Sequence, residues 1–597
     1  MRLRKPIIAV AAVSAFALAA CGGSSSDGNG NGGSSDNTAG NDLTSKAGAG
    51  GDTKQTKDPT AVGPATIDGA TKGGTVTVLS TSGLNTMDPT EAYYQNTSSI
   101  LTGLVTRSLT QYKYDAATDT QVLVPDMATD LGTPNADFTE WKFTIKPGLK
   151  YEDGTPVKLE DFVFSAARSF DRTAFPEGPA FSNDYFKGAD TYKGPYTGKG
   201  LDGFDAVTTE GDDTLVYHMD TPFPDMSYWA SFAALGPIPN SPDSDPEKYR
   251  LHPLATGPYM FGKYVPEKSL ELIPNPNWDA ASDPARTNYP DKYEFSLQEE
   301  SAKIDQIMKE DSPSDQATLT YDDILAADFG AINDDGRMSI GSFPLTSYWA
   351  PDYRKITDIK VRQALAWAYP YADADLAGGY IKGVTSIPGN TLLPPGTAGR
   401  EDFDVLPDHT AGETDTDKAN ALLKEAGAEG YEIKFLYSKD SETSVAVKDT
   451  IVASLKKAGF KPVPVPTTTA DFSTLRADPA TDINVRSAGW IADWPTGASW
   501  FPPLTQSTNL KEEGLGSNYT VFSEPTVDAR IKEILALPVT EQDAAWGALD
   551  KTILTDYFPY FVIRYGGVAQ AHGSAIMGHN IDNTIGMPTW KDIWVKS

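Results

Sequence analysis

Cysteine is all but missing from this chain of 597 residues: Cys21 is the only one. No intrachain disulfide can form, so stability has to come from packing. Histidine is also scarce, with five residues (His218, His252, His409, His572 and His579) spread over the chain. There is no His-Glu-x-x-His, no cysteine pair, no Gly-x-Ser-x-Gly and no phosphate loop; Gly194 to Lys199 has the wrong spacing for one. Nothing sets a nucleophile beside a base. These absences predict a binding protein rather than an enzyme, with no cofactor and no metal. His572 and His579 stand seven apart in a glycine-containing stretch, and loop histidines are the simpler reading than a metal pair. Asp243, Asp245 and Glu247 alternate as in some calcium loops but lack the turn glycine and the terminal ligands. Basic charge is in short supply too: 50 Lys and Arg against 81 Asp and Glu leave a net charge of −31. Such a surface repels nucleic acid and anionic headgroups and argues against a DNA or RNA partner.

A second membrane-length apolar run is likewise missing; the one long run opens the chain. Arg2, Arg4 and Lys5 precede the apolar segment Ile7 to Ala20, which ends Leu18-Ala19-Ala20-Cys21. The run is too short to span a bilayer core, which needs about 20 residues, and reads as a signal-peptide core. Small residues before a lone cysteine resemble a bacterial lipobox, in which the thiol is acylated and becomes the new N-terminus. On that reading residues 1–20 are a signal peptide, Cys21 is the lipidation site, and the protein sits on the outer face of the cytoplasmic membrane. The lipid is then its only membrane tie. The alternative is an ordinary signal peptide with an incidental cysteine. Residues 21–72, dominated by Gly, Ser, Asn, Asp, Thr and Ala, lack the apolar surface to offset ordering entropy. They are expected to form a flexible tether with a reach of roughly 40 Å.

Order is expected from Gly74. Thr75 to Leu79 reads as a strand, residues 97–109 as a helix, Trp141 to Ile145 as a strand and Lys158 to Phe170 as a helix. Leu215 to Met219 and Leu270 to Ile273 read as further strands. The clearest pattern runs from 415 to 495: helices Asp417–Ala426, Ser444–Ala458 and Ala470–Arg476 alternate with strands Tyr431–Tyr437, Lys461–Val465 and Asp482 to about Ala488. Such alternation predicts βαβ units and a parallel sheet. Ligands of open α/β sheets bind beyond the carboxyl ends of the strands. The segment Gly489-Trp490-Ile491-Ala492-Asp493-Trp494-Pro495 is therefore the leading site candidate, with a glycine open to close approach, two indoles and one carboxylate.

Five motifs, in order, carry a resemblance. Phe143 to Tyr151 followed by Asp153-Gly154-Thr155-Pro156 is similar to "F-x-L-R-x-G-x-x-F-x-D-G-x-P"; Glu160 to Arg168 is similar to "E-D-V-x-x-S-x-x-R". Thr256-Gly257-Pro258-Tyr259 with Asn275-Pro276-Asn277-Trp278, Asp358 to Leu365, and Gly489 to Pro495 look like "G-T-G-P-Y … N-P-x-Y-W", "D-x-R-V-R-Q-A-L" and "G-W-x-A-D-Y-P-D-P". Together they resemble the large extracytoplasmic solute-binding proteins of ABC importers, of the peptide and nickel type, over residues 74–597.

The resemblance implies an α/β, two-lobed, periplasmic-binding-protein-like (type II) fold with an extra domain inserted in the first lobe. It places lobe I at 73–103, 251–345 and 557–597, the inserted subdomain at 104–250 and lobe II at 346–556. It implies a monomeric receptor that captures short peptides between the lobes and delivers them to an ABC permease and its ATPase subunits. Asp493 is expected to hold the ligand's ammonium group, because an ammonium taken out of water needs a fixed opposite charge; a turn-capping aspartate is the plain alternative. Trp490 and Trp494 are expected to flank the ligand beside Gly489. Tyr93, Tyr94 and Gln95 fall where the family's first-lobe ligand loop lies and would pair with an extended peptide. Tyr348 and Trp349, near the presumed hinge, are expected to line the same site. Arg168 and Arg362 read as structural. Three departures stand out: Trp494-Pro495-Thr496-Gly497 loses the family's second acidic residue, Lys158 replaces a helix-capping threonine, and Arg486 falls beside, not on, an arginine position of some peptide binders. The rivals are an oligosaccharide receptor, suited by Trp490, Trp494 and Trp500, a nickel-chelate receptor, and a peptide-sensing lipoprotein that signals rather than imports. A lipid-anchored hydrolase is the enzyme alternative.

Overall fold

The computed structural model describes residues 57–116, 120–510 and 514–596. The expected signal peptide, the expected lipidation site Cys21 and most of the expected tether lie outside them. The chain divides into two compact units, one holding residues 57–341 and 568–596, the other residues 342–567. It passes from the first to the second within the strand Met338–Pro351 and returns within Phe561–Ala571. The junctions therefore fall at 341/342 and 567/568, against 345/346 and 556/557 from the sequence.

In the first unit, Thr75–Leu79 is the strand that the Thr-Val-Thr-Val-Leu run announces, and Val76 and Val78 are fully buried. It lies in a five-stranded sheet of order Thr318–Thr320, Thr75–Leu79, Lys292–Ser296, Ser269–Pro274, Tyr259–Val265. The first three are parallel to one another; the last two are antiparallel additions. The C-terminal return completes this core with Ile576, Met587, Trp590 and Ile593. Residues 133–218 build a separate four-stranded antiparallel sheet around Glu140–Thr144 and Thr214–His218, in which Trp141, Phe143 and Leu215 face inward. This sheet lies inside the span 104–250 expected as an inserted subdomain, and it belongs to the same compact unit.

The stretch 57–72 corrects the tether's boundary. Asp58 N–H donates to Leu123 O (2.9 Å), Ala65 N–H to Asp283 O (3.3 Å) and Ile67 N–H to the Tyr289 hydroxyl (3.2 Å). Lys57 Nζ lies 4.1 Å from the Tyr228 ring centroid. A segment without hydrophobic periodicity is ordered here through its backbone groups, which composition does not register.

Four buried charges meet in the first unit. Asp126 accepts from Arg107 Nε at 2.7 Å and from Arg286 Nη1 at 2.9 Å, and Arg286 Nη1 also meets Asp283 at 3.1 Å. All four side chains are buried. Burial alone would push the Asp283 carboxyl up, but Arg286 and Arg107 outweigh it and hold the group below the usual carboxylate range. Arg107 and Asp126 fall within residues 104–250, whereas Asp283 and Arg286 follow later in the chain.

The second unit contains the predicted alternation. Asp415, Ser441 and Thr468 cap helices Thr416–Glu425, Glu442–Lys457 and Thr469–Ala477 by accepting from backbone N–H groups in their first turns. Strands Glu432–Ser438 and Lys461–Thr467 pair in parallel, as expected. The third strand does not join them. It runs Val485–Ile491, three residues later than expected, and pairs antiparallel with Pro351 to Leu345. The switch occurs at Asn484, which donates to Lys434 O and Glu432 O on the first parallel strand and accepts from Asp352 N–H with its carbonyl. A four-stranded sheet results, of order Ser386–Ile387, Phe561–Ala571, Met338–Pro351, Val485–Ile491.

Replacing Asp126 by alanine is expected to leave two buried guanidinium groups short of a counter-charge and to cost about 3–5 kcal/mol, read as a lower urea midpoint of the first unit's transition.

Candidate functional site

In the second unit the candidate segment leaves the edge of the four-stranded sheet as a braced turn. Ser347 faces Gly489 and Thr346 faces Trp490 across the strand pair. Beyond the strand, Ala492 N–H donates to Pro344 O (2.9 Å) and Ala398 N–H donates to Pro495 O (3.0 Å). Trp490 Nε1–H donates to Ser499 O (2.7 Å), and the Ser499 hydroxyl to Trp494 O (2.8 Å). Of residues 492–501, Asp493 alone keeps partly exposed surface; its neighbours are all buried. A carboxylate is thus presented from a backbone that cannot easily shift.

The surrounding residues divide. Trp490 is half-buried and keeps an open face. Trp494 is buried, as is Trp500 at 0 % exposure, so the indole cluster offers one partly open ring rather than a stacking platform. Gly489 is not an open approach: a Cβ there would lie 3.1 Å from Leu345 Cδ1, so the missing side chain makes room for the neighbouring strand.

Tyr348 and Trp349 are corrections. Tyr348 is wholly buried with its ring edge-on to Tyr560 at 5.0 Å, and Trp349 packs against Tyr369, Phe435 and Phe561. Both rings belong to the unit's hydrophobic cores. The antiparallel pairing is the reason, since it places both residues in the interior of a strand covered on its two faces. Arg486 is also structural. Its Nη1 lies 3.2 Å from the buried Asp352, which Arg354 shares at 2.9 Å, and its Nε donates to Arg476 O. Arg362 is buried as expected and donates to four carbonyls: Ile356, Thr357, Tyr557 and Phe558.

In the first unit, Tyr93, Tyr94 and Gln95 lie half-buried where the chain enters the helix Gln95–Ile100. Tyr94 is its N-cap residue, and its carbonyl accepts from Ser98 N–H. Burial and the nearby Glu177 push the Tyr94 phenol up. Gln95 Nε2 is buried without a hydrogen-bond partner, a donor left over in the expected ligand loop. The loop is pinned by Asp88, which accepts from Thr90 N–H and meets Arg168 Nη2 at 2.6 Å, both side chains buried. Arg168 lies 4.7 Å from the Phe175 ring and 5.3 Å from that of Tyr249. Arg168 is thus structural, as its motif reads, with Asp88 as its charge partner. At the other end of its helix the Asp161 carboxylate accepts from Lys158 N–H, and Asp161 N–H donates to Lys158 O (3.2 Å), because the lysine side chain offers no acceptor of its own.

The remaining motifs are also architectural. A Cβ on Gly257 would meet Leu104 O at 2.8 Å, and Asn275 Nδ2 donates to Gly257 O. Asp245 caps Pro246–Tyr249. His579 Nδ1 meets the Ser339 hydroxyl. Among the described residues there is no group of three or more His, Cys, Asp or Glu that could hold a metal ion, and no helix long and apolar enough to cross a membrane.

Comparison with known proteins accounts for these motifs. The model of the bacterial extracellular solute-binding proteins, family 5, matches residues 122–512. The periplasmic oligopeptide-binding protein OppA of Salmonella typhimurium is 23% identical over 418 residues, 67% of this chain and 72% of that protein. Among solved structures, clavulanic acid biosynthesis oligopeptide binding protein 2 superposes with a TM-score of 0.80 at 22% identity, covering 90% of this chain and 99% of its own. The ABC transporter-associated periplasmic binding protein DppA from Helicobacter pylori, in complex with peptide STSA, gives 0.65 at 18% identity, covering 88% and 99%. The fold is thus the type II periplasmic-binding-protein fold, and the chain belongs to the bacterial extracellular solute-binding proteins of family 5.

Proposed function

We propose that the chain is a lipid-anchored receptor that binds short peptides by their free amino terminus and hands them to an ABC importer. The observation that carries this reading is Asp493, a carboxylate kept partly open in a turn whose other residues are buried and cross-braced. An ammonium group brought against it would be held by charge-assisted hydrogen bonds. Trp490 supplies the adjoining apolar face. The reading also assigns ligand contact to Tyr93, Tyr94 and Gln95, whose unpartnered amide suits a peptide carbonyl. The peptides named in the descriptions of OppA and DppA agree with this ligand class. The oligosaccharide reading loses its main support with the burial of Trp494 and Trp500.

Asp493→Ala is expected to weaken binding of free-amine peptides by about 2–5 kcal/mol, the cost of removing one partner of a desolvated charge pair. Calorimetry with a peptide and its N-acetylated form tests it: the wild type should prefer the free amine and the variant should not, and equal affinity of the wild type for both would remove Asp493 from the role. Cys21→Ser is expected to move the protein from the membrane fraction to the medium in a fractionation of expressing cells. A variant that stays with the membrane would overturn the lipid anchor.

A further inference from the structure

His572 and His579, seven apart in the sequence, come together in the first unit with ring centres 5.4 Å apart. His572 follows the strand Phe561–Ala571, and His579 lies just beyond the short strand Ile576–Met577. The turn between them is held from outside. His572 N–H donates to Arg337 O (3.0 Å), Gly573 N–H to Thr318 O (2.7 Å) and Ser574 N–H to Asp311 Oδ1 (3.0 Å). His579 is 6% exposed, and His572 keeps a partly open face.

Hydrogen bonding fixes the tautomer of both rings. The Ser339 hydroxyl gives its proton to His579 O (2.7 Å), so its oxygen accepts from His579 Nδ1–H at 2.8 Å. The Gly573 carbonyl can only accept, so the His572 nitrogen facing it at 3.2 Å, Nδ1, carries the proton. In the neutral rings each Nε2 is left with a bare lone pair. That of His579 is buried and has no hydrogen-bond partner. Protonating it would bury a cation without compensation. Interior acceptors left idle in this way are few in folded proteins.

An imidazole that donates from one nitrogen to a fixed oxygen and offers the other is arranged as a metal ligand, because the donated bond sets the tautomer and the ring orientation. Two ring nitrogens holding one ion at about 2.1 Å bring their ring centres to roughly 5–6 Å, and the observed separation lies in that range. The charged groups facing His572 are Arg337 and Asp311; Arg337 is met by Asp311 at 3.9 Å and by Asp335 at 3.1 Å, so its charge is answered locally. We propose that His572 and His579 form a two-histidine site for a late first-row divalent ion, Zn2+ or Cu2+, with water completing the shell from the open side of His572. Imidazole nitrogen suits these ions, whereas Mg2+ and Ca2+ seek oxygen. Bound there, the ion ties the end of the returning strand to the C-terminal segment. The site is independent of the peptide reading.

Calorimetry of the untagged chain, stripped of metal by a chelator and dialysed, tests this with ZnCl2, CuCl2 and MgCl2. With ZnCl2 or CuCl2 the wild type should bind one ion at least tenfold tighter than any further ones, and MgCl2 should give no such event. His572→Gln, at the more open position, should weaken that event tenfold or more, and His252→Gln, outside the pair, should leave it unchanged. Crystals of the wild type soaked in ZnCl2 read the site without any substitution: an anomalous peak at the zinc edge should lie between the two rings. No tight event with either ion, an affinity undiminished in His572→Gln, or a zinc peak only at other side chains means that metal is held adventitiously at the surface, and the proposal falls.

Discussion

The pairing of Val485–Ile491 with Pro351 to Leu345, locked at one end by the buried contact between Arg486 and Asp352, is the constraint on which the candidate site rests. A register is an all-or-none property, since a slip of one residue would exchange the two faces of the strand. In the observed register Leu345 fills the space above Gly489, Tyr348 and Trp349 face the interior, and the chain leaves the sheet so that Asp493 emerges at the turn. The charge contact fixes that register from inside. Sliding the strand would draw a carboxylate and a guanidinium apart where water cannot replace either.

Much of this was legible in the sequence, and the limits have physical causes. Thr75–Leu79, the 415–477 helices and the parallel pair were evident because apolar period, caps and turn residues agreed. The third strand was misplaced in register and partner because Asp482 and Asn484 interrupt the apolar run at the point where the chain changes neighbours, and strand pairing is a long-range choice that no local pattern encodes. Residues 57–72 were assigned to the tether for a related reason: their order is made by backbone hydrogen bonds to distant segments.

The site shows the same division. Asp493 was singled out from its position after a strand and from the motif around it. Tyr348 and Trp349 were taken for site residues on proximity to a hinge, yet their rings are core. Of the motif arginines, Arg362 is engaged by four carbonyls, whereas Arg168 meets Asp88 and aromatic rings but keeps Nε and Nη1 buried without a hydrogen-bond partner. In a chain so acidic, interior guanidinium groups are the exception that organises its neighbourhood.

The double passage of the chain between the units bears on biogenesis. Trp590, Ile593, Met587 and Ile576 complete a core that begins with Val76 and Val78, so the first unit encloses the second in sequence. That core cannot close during synthesis until residues 576–593 have been made, so its two halves meet only after the whole of the second unit has been translated.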